Sequence, residues 1–237
     1  MTFMEEKELK TSLKQRIIIG AIAIILVGSF IASYAAIIIA NTNKSSASDG
    51  IDSDKVAEYK SLYDTKLAEF AEVTKSDYEK FVAYKSEVKA YNESSANANG
   101  IQTKDYVVGS GRTLGEGDTN YLAFYIGWCA DETIFDSSFN DAANPTQFKG
   151  ALDASLGLIE GWNAGVVGMK IGGIRRITIP GELAYGDNME ICGGYNKPLR
   201  FLVYAVENKD PLKTAASSVE NAYMKWVYAQ YGMEYTE

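Results

Sequence analysis

The chain has 237 residues, 46% of them hydrophobic and 23% charged, so one or two globular domains are expected, with room for a membrane segment. A net charge of −8 argues against nucleic acid as a partner, because phosphate backbones are held by clusters of Lys and Arg. Histidine is absent, which excludes Ser-His and Cys-His catalysis and removes the commonest zinc ligand, and two cysteines cannot build a four-thiolate site, so neither metal nor cofactor is expected.

Residues 1–16 carry Lys7, Lys10, Lys14 and Arg16, and an uncharged run follows from Ile17 to Ala40. At about 1.5 Å per residue that run spans a hydrocarbon core of roughly 30 Å. It is longer than the apolar stretch of a cleaved signal peptide, so an uncleaved signal anchor is expected at 17–40. The positive residues precede it, and only Lys44 follows closely. The positive-inside rule then puts 1–16 in the cytoplasm and the rest outside, as a single-pass protein of a cell membrane.

Residues 41–54 are rich in Ser, Asn and Asp and read as a flexible linker. From Ile51 to Asn99 there is neither Gly nor Pro. Apolar residues recur at Val56, Tyr59, Tyr63, Leu67, Phe70 and Val73, and again at Tyr78, Phe81, Tyr84, Val88 and Tyr91. Each set is a helical stripe. The five-residue step between them, with Ser76 and Glu79 placed as a capping box, leaves two forms open over 55–92: a helical hairpin, or one kinked helix. Such a segment suits a stalk that spaces the next domain from the membrane, or a Tyr-rich face for self-association or clients.

Residues 93–100 are small and polar and read as a second linker. Beyond them, Gly109-Ser110-Gly111 is half of a dinucleotide fingerprint without its third glycine, and reads as a loop. Tyr106-Val107-Val108 opens a strand. From Asn120 to Trp128, Tyr121, Ala123 and Tyr125 alternate with Leu122, Phe124 and Ile126, which is a second strand. Asp131-Glu132 suits a hairpin turn. Phe148-Lys149-Gly150, Gly173 to Ile179 and Leu199 to Val206 read as further strands. Glu160 to Val167 is the only helical candidate among them. Several strands and one short helix imply an α+β domain with an antiparallel sheet closing on that helix. After Asp210-Pro211, within a tail at 209–237, Val219, Ala222, Tyr223, Trp226 and Val227 fall at helical spacing.

The motifs now stand in a telling order: Tyr125-Ile126-Gly127, Phe135-Asp136-Ser137-Ser138, Leu158-Ile159-Glu160-Gly161-Trp162, Gly168-Met169-Lys170-Ile171-Gly172, Ile177-Thr178-Ile179-Pro180, Leu183-Ala184-Tyr185-Gly186 and Pro198-Leu199-Arg200-Phe201. In this order they resemble the FKBP-type peptidyl-prolyl isomerases over residues 101–208. The resemblance implies a five- or six-stranded antiparallel sheet wrapped around one short helix, and catalysis of rotation about the bond before proline. It implies Trp162 as the floor of a prolyl pocket. Tyr125, Phe135, Leu158, Ile159 and Phe201 become its walls. The Ile159 backbone N–H and the Tyr185 hydroxyl become donors to substrate carbonyls, with Asp136 at the rim. Ala184 belongs to the same motif as Tyr185.

Three departures from the family pattern are visible. No cation follows the Phe-Asp-Ser-Ser motif, where Phe139-Asn140-Asp141 stands instead, so Asp136 lacks its usual partner. The further pocket aromatic falls to Phe148. The loop from Asp187 to Lys197 is unusual and leaves its substrate contacts to Met189, Ile191 and Tyr195. That loop carries Cys192. In an oxidising compartment Cys192 is expected to pair with Cys129; two unpaired thiols are the alternative. The expected function is a bacterial, membrane-anchored isomerase that assists extracytoplasmic proline-containing clients. The alternative is a binding module or holdase of the same fold with little turnover.

Overall fold

The computed structural model describes residues 51–235. The expected cytoplasmic segment, the membrane anchor at 17–40 and most of the 41–54 linker lie outside them. Among the described residues no helix is long and apolar enough to cross a membrane.

Helix α1 runs unbroken over Ser53–Val82. Asp52 caps it, its carboxylate accepting from the N–H groups of Asp54 and Lys55 at 3.0 and 3.1 Å. The anticipated break near Ser76 does not occur. The apolar count pauses there because the buried stripe continues through a polar residue, Thr74, which is fully buried between Phe70 and Phe81. Its hydroxyl donates to the Phe70 carbonyl at 2.8 Å, so the hydroxyl is satisfied inside the helix.

Past a 3-10 turn at Lys85–Glu87, the chain straps along the domain. The Tyr91 N–H donates to the Ala130 carbonyl, and the Trp128 indole donates to the Lys89 carbonyl, both at 3.0 Å. The expected 93–100 linker is instead a docked helix, α2, at Glu93–Ala98. Asn92 caps it, Ala96 is buried, and Lys197 pairs with Glu93 at 2.8 Å. A small, polar composition could not reveal these partners, because they come from residues far along the chain.

Six strands form one antiparallel sheet: β1 Gln102–Val107, β2 Tyr121–Trp128, β3 Ile134–Ser137, β4 Leu152–Asp153, β5 Ile174–Ile179 and β6 Leu199–Glu207. Their order is β1-β5-β6-β2-β3, with β4 pairing on β2. The predicted strand at Phe148 is only an isolated bridge to Phe139; the real strand starts at Leu152. Helix α3 occupies Glu160–Val166 and lies against β5. A Cβ on Gly161 would sit 2.2 Å from Ile179, so glycine is what lets helix and strand approach. Arg175 ties the end of α3 down, donating to the Gly165 and Val167 carbonyls at 3.0 and 2.9 Å while its guanidinium forks onto Asp105.

Alternation along the strands creates two aromatic layers. Tyr121, Ala123, Tyr125, Phe201 and Val203 face the α3 side. Leu122, Phe124, Ile126, Trp128, Leu202 and Tyr204 face the other way. That outer face is covered by α1 and by helix α4, Leu212–Gln230, which pack on each other. Phe81 stacks near Tyr204, and Tyr63 stacks on Trp226 at 5.7 Å. The helix read as a stalk therefore lies on the domain rather than standing clear of it. Each fully buried Phe contributes about 1.5–3 kcal/mol of apolar transfer.

Candidate functional site

The α3-side layer gathers most of the expected site residues. Trp162 is 2% exposed and forms the base. Phe201 meets it edge-on at 5.1 Å and Tyr125 at 5.7 Å, and Phe135 meets Phe201 edge-on at 5.6 Å. Edge-to-face contacts suit the ring quadrupoles and hold each ring in one orientation. The Trp162 indole N–H donates to the Tyr121 hydroxyl at 3.0 Å. Sequence reasoning missed Tyr121 as a site residue, although it has the same strand parity as Tyr125. Gly127 supplies the clearance, because a Cβ there would lie 2.7 Å from the Phe135 ring and 2.8 Å from that of Phe201.

Around this base, Leu158, Ile159, Ala184 and Tyr185 are half-buried and pack on the cluster. Ile159 immediately precedes α3, and its N–H meets no acceptor among the described residues. Tyr185 follows a 3-10 turn at Gly181–Leu183. Burial first, and then the negative charge of Asp136, raise its phenol to about 12, so it is a protonated donor at neutral pH.

Asp136 is not at an open rim; it is 2% exposed. The Tyr125 hydroxyl donates to one carboxylate oxygen, and the Ser137 N–H donates to the other at 2.8 Å. The carboxylate is therefore held in place even though no arginine follows the motif. Burial, then the charge of Asp136, keep the Tyr125 phenol protonated.

Two expected pocket residues lie elsewhere. Phe148 belongs to the outer layer, stacked on Phe124 at 3.9 Å beneath α1. It sits at an isolated bridge to Phe139 in the irregular segment between β3 and β4, and its ring lies on the helical side. Tyr195 is 57% exposed and does not join the cluster. Of the same loop, Ile191 is buried in the cluster and Met189 packs on it. Cys192 is bonded to Cys129 at the end of β2, with a Cα separation of 5.5 Å. This tie holds the loop against the sheet. The arrangement is a buried, ring-lined cluster with half-buried border residues and few polar donors, and no nucleophile in it is paired with a base.

The sequence model described as FKBP-type peptidyl-prolyl cis-trans isomerase matches residues 112–208, which contain this whole cluster. An FK506-binding protein of Neisseria meningitidis serogroup B is 36% identical over 111 residues, covering 46% of this chain and 93% of the relative. FK506-binding protein 4 of Gibberella zeae is 44% identical over 87 residues, covering 37% of this chain and 16% of the relative. The chain thus spans less than a quarter of the FK506-binding protein 4 relatives it matches. The crystal structure of AtFKBP13 is 30% identical, covering 46% of this chain and 94% of its own, at a TM-score of 0.36. Sequence motifs, cluster geometry and near-complete coverage of the Neisseria relative converge: the chain belongs to the FKBP-type peptidyl-prolyl cis-trans isomerase family.

Proposed function

We propose that this chain catalyses cis-trans rotation at the bond before proline in polypeptide clients, at the outer face of a bacterial membrane to which residues 17–40 anchor it. The observation that carries the catalytic part is the Trp162 base, with Tyr125 and Phe201 set edge-on against it and Ile159 and Tyr185 at the half-buried border.

Amide resonance sets the rotation barrier at about 18–20 kcal/mol and places negative charge on the carbonyl oxygen. Water stabilises that charge in the planar state. A seat lined by rings withdraws the water, while the apolar prolyl ring gains contact. The Ile159 N–H and the Tyr185 hydroxyl orient neighbouring substrate carbonyls. Contacts that fit the twisted amide better than the planar one lower the barrier. A thousandfold acceleration needs only about 4 kcal/mol of such difference. No proton has to move, which accords with the absence of histidine.

The membrane part is supported by the uncharged run from Ile17 to Ala40 and the positive residues ahead of it. The Cys129–Cys192 bond suits an oxidising compartment.

A coupled assay on a Leu-Pro or Phe-Pro peptide tests the catalytic reading. Wild type should speed the relaxation, and Trp162→Ala should do so far less; equal rates for the two would sink it. Protease added to intact cells tests the topology. Digestion of the region after residue 51 is expected, and complete protection would place the domain inside.

A further inference from the structure

Away from the prolyl cluster, the helical layer closes over the bulge between β3 and β4 and leaves a cavity of about 240 Å³. It shares one wall residue, Tyr125, with the site described above, and none of Trp162, Phe135, Ile159, Tyr185 or Phe201 borders it. Its size sets the scale of an occupant. It exceeds the roughly 150 Å³ that accommodates benzene, and falls short of the about 300 Å³ at which drug-sized pockets begin. One ring or a short branched chain, with a single head group, matches that space.

The walls differ in chemistry. Ala216 and Val219 on α4, with the rings of Tyr223 and Tyr63, make an apolar side. The domain side presents Ser137, Ser138 and Lys149. Ser138 Oγ already accepts from the Tyr125 N–H at 3.1 Å, which leaves its O–H to donate a hydrogen bond. The Lys149 backbone is pinned in place, its N–H donating to the Ser138 carbonyl at 2.8 Å. Its ammonium makes no ion pair or hydrogen bond among the described residues. Burial pulls it below the ordinary lysine range, and the charge of Asp136 works against that shift. A partly buried ammonium with no hydrogen-bonded acceptor is costly, and an anion within the cavity relieves that cost. One positive charge beside hydroxyl donors matches a monoanion with two acceptor oxygens.

We propose that this cavity binds a small monocarboxylate on an aromatic or branched aliphatic body, with Lys149 as its counter-ion and the Tyr63–Tyr223 side as its apolar seat. Glu220 also borders the cavity. Its burial, then the charge of Asp153, raise its carboxyl pKa. As a carboxylate it opposes an anion there.

Titration of the full chain with phenylacetate, followed by calorimetry and by melting temperature, tests the site, with phenylacetamide as the uncharged control. Phenylacetate should bind saturably, and phenylacetamide at least about tenfold more weakly, the scale of a lost charge-assisted contact. Lys149→Met should abolish the preference for the acid. Glu220→Gln should strengthen phenylacetate binding. Ala216→Phe, which fills the space and leaves every charge in place, should remove binding of both compounds. Equal affinity for acid and amide, unchanged binding in Lys149→Met or Ala216→Phe, or no saturation by phenylacetate at all would each overturn the proposal. None of these readouts depends on prolyl isomerisation.

Discussion

Both faces of the sheet are aromatic, and both derive from the same strands, yet they end in different states. On the outer face, Phe124, Trp128 and Tyr204 meet Phe70, Phe81 and α4, and the layer closes into a continuous core. On the inner face, Trp162, Tyr125, Phe135 and Phe201 meet one short helix and a disulfide-tied loop, and the border residues Leu158, Ile159 and Tyr185 stay half-buried. Composition does not separate the two. What separates them is the length of the covering element. A helix of 30 residues spans the sheet, whereas α3 has 7 and leaves its N-terminal side accessible.

Several measurements would break or sharpen this contrast. The largest effects are expected on stability. Phe81→Ala should cost about 3–5 kcal/mol, read as a fall in denaturation midpoint, because it opens a cavity in the closed layer. The folded fraction should retain its isomerase rate; a rate lost in proportion to stability would mean that the faces are not independent. Replacing Cys192 by Ser breaks a link with a sequence separation of 63. It should cost up to about 4 kcal/mol in the chain-entropy picture. It should also raise KM, if the loop at 187–197 shapes the inner site.

On the inner face the effects should fall on rate. Trp162→Ala should lower kcat/KM by roughly a hundredfold, near 3 kcal/mol of transition-state binding. Tyr185→Phe removes one hydrogen bond and should cost at most about tenfold. Both read directly in the proline-peptide assay, and the reverse ranking would shift the catalytic role from the rings to the phenol.

The smallest effect is expected from pH. With no histidine, the rate should stay flat between pH 6 and 8. A change in stability is expected in alkali. Burial raises Tyr63, Tyr121 and Tyr185 to about 12, whereas the unfolded chain releases these protons near 10. For these phenols the folded state then binds more protons than the unfolded one, so their contribution to stability is constant below about pH 10 and is lost as pH rises toward about 12. A melting temperature that climbs over that interval would reverse the assigned burial of the phenols.

Much of this was legible in the chain before any fold. Alternation along Tyr121–Trp128 announced a strand, which the structure buries on both faces, and the motifs from Tyr125 to Phe201 named most of the inner cluster. The misreadings have physical causes. Thr74 hid the continuity of α1, because a buried hydroxyl satisfied by its own helix looks polar in a list of letters. Phe148 was placed in the pocket, because spacing counts residues and cannot tell which way an irregular bulge turns a ring. Tyr121 was overlooked, because its role depends on an indole 41 positions away.

By itself, then, the order of residues determined local periodicity, which side chains can bury, and which chemistries are impossible without histidine. Only tertiary structure decided that the long helix lies on the domain, that Asp136 is held without an arginine, and that Lys149 borders a cavity. These outcomes depend on contacts between distant segments, and no local pattern encodes the direction from which a distant partner arrives.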